Sequence, residues 1–364
     1  MNKLSIGNLQ VDLPIIQGGM GVCISLSGLA AAVANQGGIG VISAVGIGMT
    51  EPDYRKNFRH ANRIALEKQI IKAKEDSKGS HGAIGANIMM AVSDFDDLFK
   101  VAVDQKIDLI IVGAGLFLKL PETVTFDMID QAGTKLAPKV SSAKAARLIF
   151  DYWLTHYGRT PDAVILEGPA AGGHLGFKKD DLFNPNFSLE KLLVETVAEI
   201  HKFEQITGKE IPVIAAGGVY TGDDIYKMME LGAKGVKMGS KFVTTHECDA
   251  SIEFKNMYIN STMDDTIIVQ SPVGLPGRVI KNKFVDDIMA GNTKPIKCPW
   301  KCLKTCDFRK VPYCIAQALF NSAQGIMDEG FAFSGTNGPR ATKIISVKET
   351  IDILKSEYDI AAKK

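Results

Sequence analysis

Net charge is what this chain most conspicuously lacks. Its 42 Lys and Arg residues and 41 Asp and Glu residues leave a formal net charge of +1 over 364 residues. Binding to nucleic acid needs a basic excess that releases counterions from phosphates, so the composition argues against a nucleic-acid partner. The length allows a large core and more than one domain.

Long uninterrupted apolar runs are also missing. The most apolar stretch, residues 28–48, contains Asn35, Gln36 and several glycines. It therefore predicts a helix, a turn and a strand rather than a membrane span. Residues 1–5 lack the apolar core of a secretory signal,. We expect a cytoplasmic protein with no membrane partner.

Cysteine is scarce, with six residues in all, too few for a disulfide-stapled scaffold,. Four of them, Cys298, Cys302, Cys306 and Cys314, are spaced C-x₃-C-x₃-C-x₇-C. On a helix the first three would share one face. Four thiolates can bind zinc or an iron–sulfur cluster, but this spacing matches the usual patterns of neither. We therefore assign no metal ligands and expect buried or reduced thiols.

The chain does contain a regular alternation of apolar, strand-like runs and longer helical patterns. The runs occupy residues 13–17, 38–43, 82–87, 109–112, 134–140, 163–166, 211–215 and 235–238. Eight such units in about 250 residues predict a (β/α)₈ TIM barrel, whose active sites lie at the C-terminal ends of the strands. An open doubly wound sheet is the alternative, but Gly18-Gly19-Met20-Gly21 lacks the spacing of a dinucleotide fingerprint,.

The alternation stops near residue 249, and this suggests three parts. Residues 1–249 would form the barrel, with a hairpin around Gly7-Asn8 before its first strand. Residues 250–335 would form a smaller, mostly helical subdomain that holds the cysteines. Residues 336–364 would return to the barrel, because Ser346 and Glu349 predict a capping box at the start of a final helix.

The loop after the sixth run has the most unusual composition. Glu167 ends the run, and small residues then lead to Gly172, Gly173 and His174. Glycine lets a backbone approach a ligand closely, and an imidazole can exchange a proton near neutral pH. His174 is the candidate catalytic residue.

Two glycine-containing loops follow the seventh and eighth runs, at Gly217-Gly218 and Gly239-Ser240. Loops at these two places in a TIM barrel commonly bind phosphate through backbone N–H groups. A phosphate site without a Walker pattern favours flavin mononucleotide (FMN) over a nucleoside triphosphate.

Together these stretches resemble the nitronate monooxygenase family, formerly called 2-nitropropane dioxygenases, which also contains the FMN-dependent enoyl-acyl-carrier-protein reductases. The resemblance spans nearly the whole chain and rests on residues 14–20, 167–176, 211–219, 238–242 and 277–282. Its most specific motif is the Ala-Gly-Gly-His loop. The resemblance implies an FMN-dependent barrel with a helical subdomain.

The resemblance also implies roles for individual residues. His174 would lie over the flavin as the catalytic residue, Met20 and Asn87 against the isoalloxazine ring, and Gly218, Gly239 and Ser240 at the FMN phosphate. The full set of implied cofactor-binding residues is Gly19, Met20, Asn87, Lys139, Glu167, Gly172, Gly173, Gly217, Gly218, Gly239 and Ser240.

The activity implied first is oxidation of alkyl nitronates with O₂. Reduction of an enoyl thioester with NAD(P)H stays open, because Lys139 resembles the monooxygenases whereas Gly113-Ala114-Gly115 resembles the reductases. Both interpretations give a small-molecule substrate, and a homodimer is compatible with either. An interpretation of another class is a metal-binding or sensor protein that uses the cysteines on an inactive barrel.

Overall fold

A computed structural model describes residues 1–298 and 300–364. The chain begins with the predicted hairpin, formed by β1 (Leu4–Ile6) and β2 (Leu9–Val11), in which Leu4 lies opposite Val11. Leu4, Ile6 and Val11 are buried in one cluster with residues of the barrel interior. The hairpin therefore covers the N-terminal end of the barrel.

A closed parallel barrel forms the centre of the molecule, and this confirms the predicted fold class. The remaining strands are β3 (Ile15–Gln17), β4 (Ile39–Ser43), β5 (Ala83–Met89), β6 (Leu109–Gly113), β7 (Lys135–Val140), β8 (Val164–Glu167), β9 (Gly173–His174), β10 (Val213–Ala216), β11 (Gly235–Met238), β12 (Thr266–Gln270) and β13 (Pro276–Ile280). Around the barrel the order is β10-β11-β3-β4-β5-β6-β7-β8. The strands β4, β6 and β10 are buried along their whole length, as expected for parallel strands covered on both faces,.

Helices follow most barrel strands and form the outer layer. They are α1 (Ser27–Asn35), α2 (Phe58–Asp76), α3 (Phe95–Asp104), α4 (Phe126–Ala132), α5 (Ala143–Tyr157), α6 (Leu189–Thr207), α7 (Gly222–Glu230), α8 (Ser240–Val243), α9 (Ile252–Asn260), α10 (Lys283–Met289), α11 (Ile315–Ala323) and α12 (Val347–Ala361). Within the described residues, no helix is both long and apolar enough to cross a membrane.

The last helix, α12, completes the outer layer of helices beside the short helix α8. The helix after β11, α8, has one turn only. α12 contacts α7, α8 and α1, and Glu357 Oε2 accepts a hydrogen bond of 2.7 Å from Gly222 N at the start of α7. The capping box of Ser346 and Glu349 begins α12, as the sequence predicted,.

Part of the chain after the barrel is not helical. β12 and β13 pair antiparallel with each other, and β13 pairs with β9, which carries His174. Both strands lie within residues 250–335, which the sequence analysis describes as mostly helical. The run Thr-Ile-Ile-Val-Gln in β12 is rich in β-branched residues, which favour strands,.

The first three clustered cysteines do not share a helix face, because they do not lie on a helix. Cys298, Cys302 and Cys306 lie in turns and loops before α11, while Pro299 lies outside the described residues. Backbone bonds to the barrel shape this segment, since Ser93 N donates to Cys302 O at 2.9 Å.

Candidate active site

One cavity of about 800 Å³ opens at the C-terminal ends of the barrel strands. Residues from the barrel and from the segment after β11 line it together. The structure brings to it all residues with a predicted site role, namely His174, Gly19, Met20, Asn87, Lys139, Glu167, Gly172, Gly173, Gly217, Gly218, Gly239 and Ser240.

Charged side chains meet at the top of the barrel interior. Lys139 Nζ and Glu167 Oε2 form an ion pair of 2.7 Å. In the parallel register Ala216 lies beside both Glu167 and Lys237, so these side chains share the interior face,. Glu167 is thus already engaged by Lys139, next to a second lysine.

Lys237 is a site residue that the sequence analysis missed. It is half-buried and lines the open cavity, and its Nζ forms no hydrogen bond within the described residues. Burial lowers the pKa of Lys237 to about 8, with Glu167 opposing that shift and Lys139 adding to it. The sequence signal that could have identified Lys237 is a charged residue within an otherwise apolar, buried strand.

His174 is held in place from two sides. Its Nε2 shares a hydrogen bond of 2.7 Å with Ser271 Oγ, and its ring meets Phe333 edge-on with 5.0 Å between centroids. Burial first, and the charge of Lys139 second, lower the pKa of His174 to about 4. The imidazole is therefore neutral at pH 7. Ser271 was missed because its position depends on the unpredicted β12–β13 pairing.

A buried arginine fixes the loop that leads to His174. Arg278 in β13 is only 3% exposed, and its Nη1 donates to the carbonyl oxygens of Pro169 and Ala171, at 2.6 Å each. Burial lowers the pKa of Arg278 to about 10. Arg278 was part of a recognised stretch, but sequence alone did not show which carbonyls it binds.

The same loop requires glycine at position 172. A Cβ there would lie 2.5 Å from both Gly335 N and Ser334 C, closer than any real Cβ contact. Because both neighbours are backbone atoms, neither can rotate away. Gly172 therefore lets the loop pack directly against residues 334–335.

The predicted phosphate residues lie beside the same loop, since a Cβ on Gly218 would lie 3.0 Å from Ala170 Cβ. Gly217 and Gly218 have φ values of 88° and 105°, and Asn337 Nδ2 donates to Gly218 O at 2.6 Å. Ser240 Oγ accepts from Gly335 N at 3.0 Å. Two glycine turns and a hydroxyl thus border one concavity.

The first-strand side of the cavity is closely packed. A Cβ on Gly19 would lie 2.5 Å from Asn87 Cβ, and a Cβ on Gly239 would lie 3.6 Å from Met20 Sδ. Met20 N donates to Ser25 Oγ at 2.8 Å. Asn87 therefore lies against Gly19, and Met20 lies next to Gly239.

The neutral state of His174 predicts a pH dependence of stability. The unfolded chain binds a proton at His174 below about pH 6.5, whereas the native state resists it until about pH 4,. The free energy of unfolding therefore falls as the pH drops from 6.5 towards 4. At pH 5 this loss is about 2 kcal/mol. Urea unfolding at pH 7 and pH 5 should show a smaller loss for His174→Gln than for the wild type, and equal losses would contradict the assignment.

A family profile and individual relatives were compared with this chain. The profile described as nitronate monooxygenase matches residues 2–357. A "probable nitronate monooxygenase" of Staphylococcus saprophyticus is 28% identical over 77% of this chain and 78% of its own length. The (3aS,4S,5R,7aS)-5-hydroxy-7a-methyl-1-oxo-octahydro-1H-indene-4-carboxyl-CoA dehydrogenase of Mycobacterium tuberculosis is 25% identical over 78% of this chain and 67% of its own length.

Solved structures share the architecture. FabK from Thermotoga maritima superimposes with a TM-score of 0.72 and 26% identity, over 97% of this chain and 94% of its own. Nitroalkane oxidase from Streptomyces ansochromogenes gives a TM-score of 0.70 over 97% of each chain, and at 19% identity it supports the fold alone.

Proposed function

Because the chain belongs to the nitronate monooxygenase family of oxidoreductases, we propose that it binds FMN in the cavity and oxidises alkyl nitronates with O₂. The cavity volume of about 800 Å³ lies within the range of about 300–1,000 Å³ typical of small-molecule sites. The proposed catalytic residue is His174, and the proposed FMN site comprises the predicted residues together with Lys237.

The residues around the cavity fit this cofactor. The positive φ values of Gly217 and Gly218 turn backbone around one edge, and the Ser240 hydroxyl stands at the neighbouring strand end. Such a concavity suits a phosphate group. Lys237, which forms no ion pair within the described residues, adds a positive charge inside the barrel. That charge would suit an electron-rich edge of the flavin ring. When bound, FMN would supply the capacity to accept electrons from a substrate.

The choice of nitronate depends on one observation, the lowered pKa of His174. A conjugate acid with a pKa of about 4 makes the imidazole a weak base, poorly matched to removing a proton from a neutral nitroalkane,. An alkyl nitronate has already lost that proton. His174, oriented by Ser271, would hold and position the anion through a hydrogen bond.

Two measurements test this proposal together. The flavin released by heat should have the mass of FMN. Oxygen uptake with propyl nitronate should give a kcat/KM at least about 100-fold above that with the parent nitropropane, the scale of a missing general base. FAD in place of FMN, or equal rates with both substrates, would reject it.

Reduction of an enoyl thioester with NAD(P)H is the second candidate. Apolar side chains of Val92, Leu303, Ile315 and Leu319 extend the cavity between the barrel and the later segment, which suits an acyl chain. The relative from Mycobacterium tuberculosis carries a carboxyl-CoA in its name. This candidate requires NAD(P)H oxidation that depends on the enoyl thioester.

Lys237 gives a prediction about the cofactor itself. Lys237→Met should weaken FMN binding by about 10- to 100-fold, because a charged hydrogen bond is worth about 1.5–3 kcal/mol. Fluorescence titration of the apoprotein measures this dissociation constant. Lys234→Met is the matched control, since Lys234 is exposed outside the cavity. If both variants bind FMN with equal affinity, Lys237 is not part of the FMN site.

A further inference from the structure

An apolar wall of the cavity begins beside His174. Phe333 meets the His174 ring edge-on, with 5.0 Å between the ring centroids. Phe333, Leu319 and Leu303 line the cavity, and all three pack against one buried cluster that includes Val279. We call the surface formed by these three residues the apolar wall. It extends from the proposed catalytic residue into the segment that follows the barrel.

The far end of the apolar wall joins the barrel. Leu303 and Leu319 also pack against the large core cluster around the barrel. Val92 belongs to that cluster, lines the cavity and forms an antiparallel bridge with Leu303. The two leucines thus lie where the two clusters meet, and both are only partly buried. Apolar side chains that face a cavity favour an apolar group of a ligand.

Backbone contacts fix the position of Leu303. Just before it, Cys302 O accepts a hydrogen bond of 2.9 Å from Ser93 N. Just after it, Lys304 N donates to Ala91 O at 3.0 Å. The other leucine lies within α11. Both leucines are therefore held by hydrogen-bonded backbone, and the apolar wall is formed before any ligand binds.

The proposed phosphate side of the cavity has a different character. The Ser240 hydroxyl, the Asn337 amide and the glycine turns line it. These groups suit charged or polar parts of a ligand rather than a hydrocarbon chain. A nitronate with its anionic head at His174 therefore has one favourable place for its chain, which is the apolar wall.

We propose that Leu303 and Leu319 bind the alkyl chain of the substrate and make the enzyme favour longer-chain nitronates over propyl nitronate. This inference rests on the proposed oxidation of nitronates. With the head of the substrate at His174, the chain would lie along Phe333 and Leu319 towards Leu303. Each further methylene group that the apolar wall buries should raise kcat/KM about fourfold.

Oxygen uptake with the nitronates of 1-nitropropane, 1-nitrobutane and 1-nitrohexane tests this selection. The wild-type kcat/KM should rise about 60-fold from the three-carbon to the six-carbon nitronate, mainly through a lower KM. Leu303→Ala and Leu319→Ala should each reduce this ratio at least about fivefold. Because both rates in a ratio come from one preparation, a smaller folded fraction does not change it.

Ile288→Ala is the matched control for the two leucine variants. Ile288 packs against the same cluster as the apolar wall but does not line the cavity in the described structure. This variant should therefore keep the wild-type ratio. A ratio that neither Leu303→Ala nor Leu319→Ala changes would overturn the proposal.

Binding of unreactive anions separates this inference from the nitronate activity. Alkanoates carry the same charge and chain as nitronates, and calorimetry of the purified flavoprotein measures their affinity without turnover. Hexanoate should bind the wild type about 15-fold more tightly than butanoate, and Leu303→Ala should reduce this preference. That result without oxidation of any nitronate would reject the nitronate function and keep the chain site. Equal kcat/KM for all three nitronates, with equal alkanoate affinities, would overturn the chain site.

Discussion

His174→Ala should keep its flavin and lose turnover with nitronate by about 10²–10³-fold, the range for loss of one hydrogen-bond donor to the reacting group. His174 is the one imidazole lining the cavity among the described residues. Its ring is oriented by Ser271 and Phe333. Since none of the proposed phosphate contacts involves His174, cofactor content should not change. Steady-state oxygen uptake and flavin absorbance measure the two quantities separately.

Two further variants locate the effect. His156→Ala removes an exposed histidine on α5 and should behave as the wild type. Ser271→Ala removes the partner of His174 Nε2, together with the 3.4 Å hydrogen bond that Ser271 Oγ accepts from Val273 N, and should lower kcat less than His174→Ala. If His174→Ala is fully active, His174 is not a catalytic residue. If the variant loses its flavin, His174 is a cofactor-binding residue instead.

Arg278→Met should destabilise the fold by about 2–4 kcal/mol and lower activity further. The substitution removes two charged hydrogen bonds, to Pro169 O and Ala171 O, each worth about 1.5–3 kcal/mol. Removing a buried charge offsets part of that loss. The loop from Glu167 to His174 would then lose its main support. Urea unfolding and kcat/KM measure the two effects.

The controls for Arg278 separate charge from geometry. Arg278→Lys keeps the charge but cannot reproduce the fixed guanidinium geometry, so it should lie between the wild type and Arg278→Met. Arg309→Met removes an exposed arginine paired with Asp307 and should leave the free energy of unfolding nearly unchanged. An Arg278→Met protein as stable as Arg309→Met would contradict the role of Arg278 in supporting the loop.

Sequence reasoning predicted the barrel because local signals and burial agree there. Parallel strands covered on both faces appear as short apolar runs, as in β4 and β6,. The start of α12 was likewise visible as the Ser346–Glu349 capping box. These features depend on neighbours within a few positions of the chain.

What could not be predicted depends on contacts between distant parts of the chain. Ser271 meets His174 across 97 positions, and Arg278 reaches Ala171 across 107. Neither contact leaves a local pattern. The three cysteines at four-residue spacing would share one face of a helix. The segment is instead irregular, with Ser93 N donating to Cys302 O and Lys304 N donating to Ala91 O.

In the proposed function, electrons enter the flavin from a nitronate. Anaerobic mixing of the purified flavoprotein with propyl nitronate, and separately with NADH or NADPH, tests this directly. We expect the nitronate to bleach the flavin absorbance within the turnover time and neither nicotinamide to do so. Rapid bleaching by NAD(P)H together with no response to the nitronate would contradict the proposal and favour the enoyl reductase.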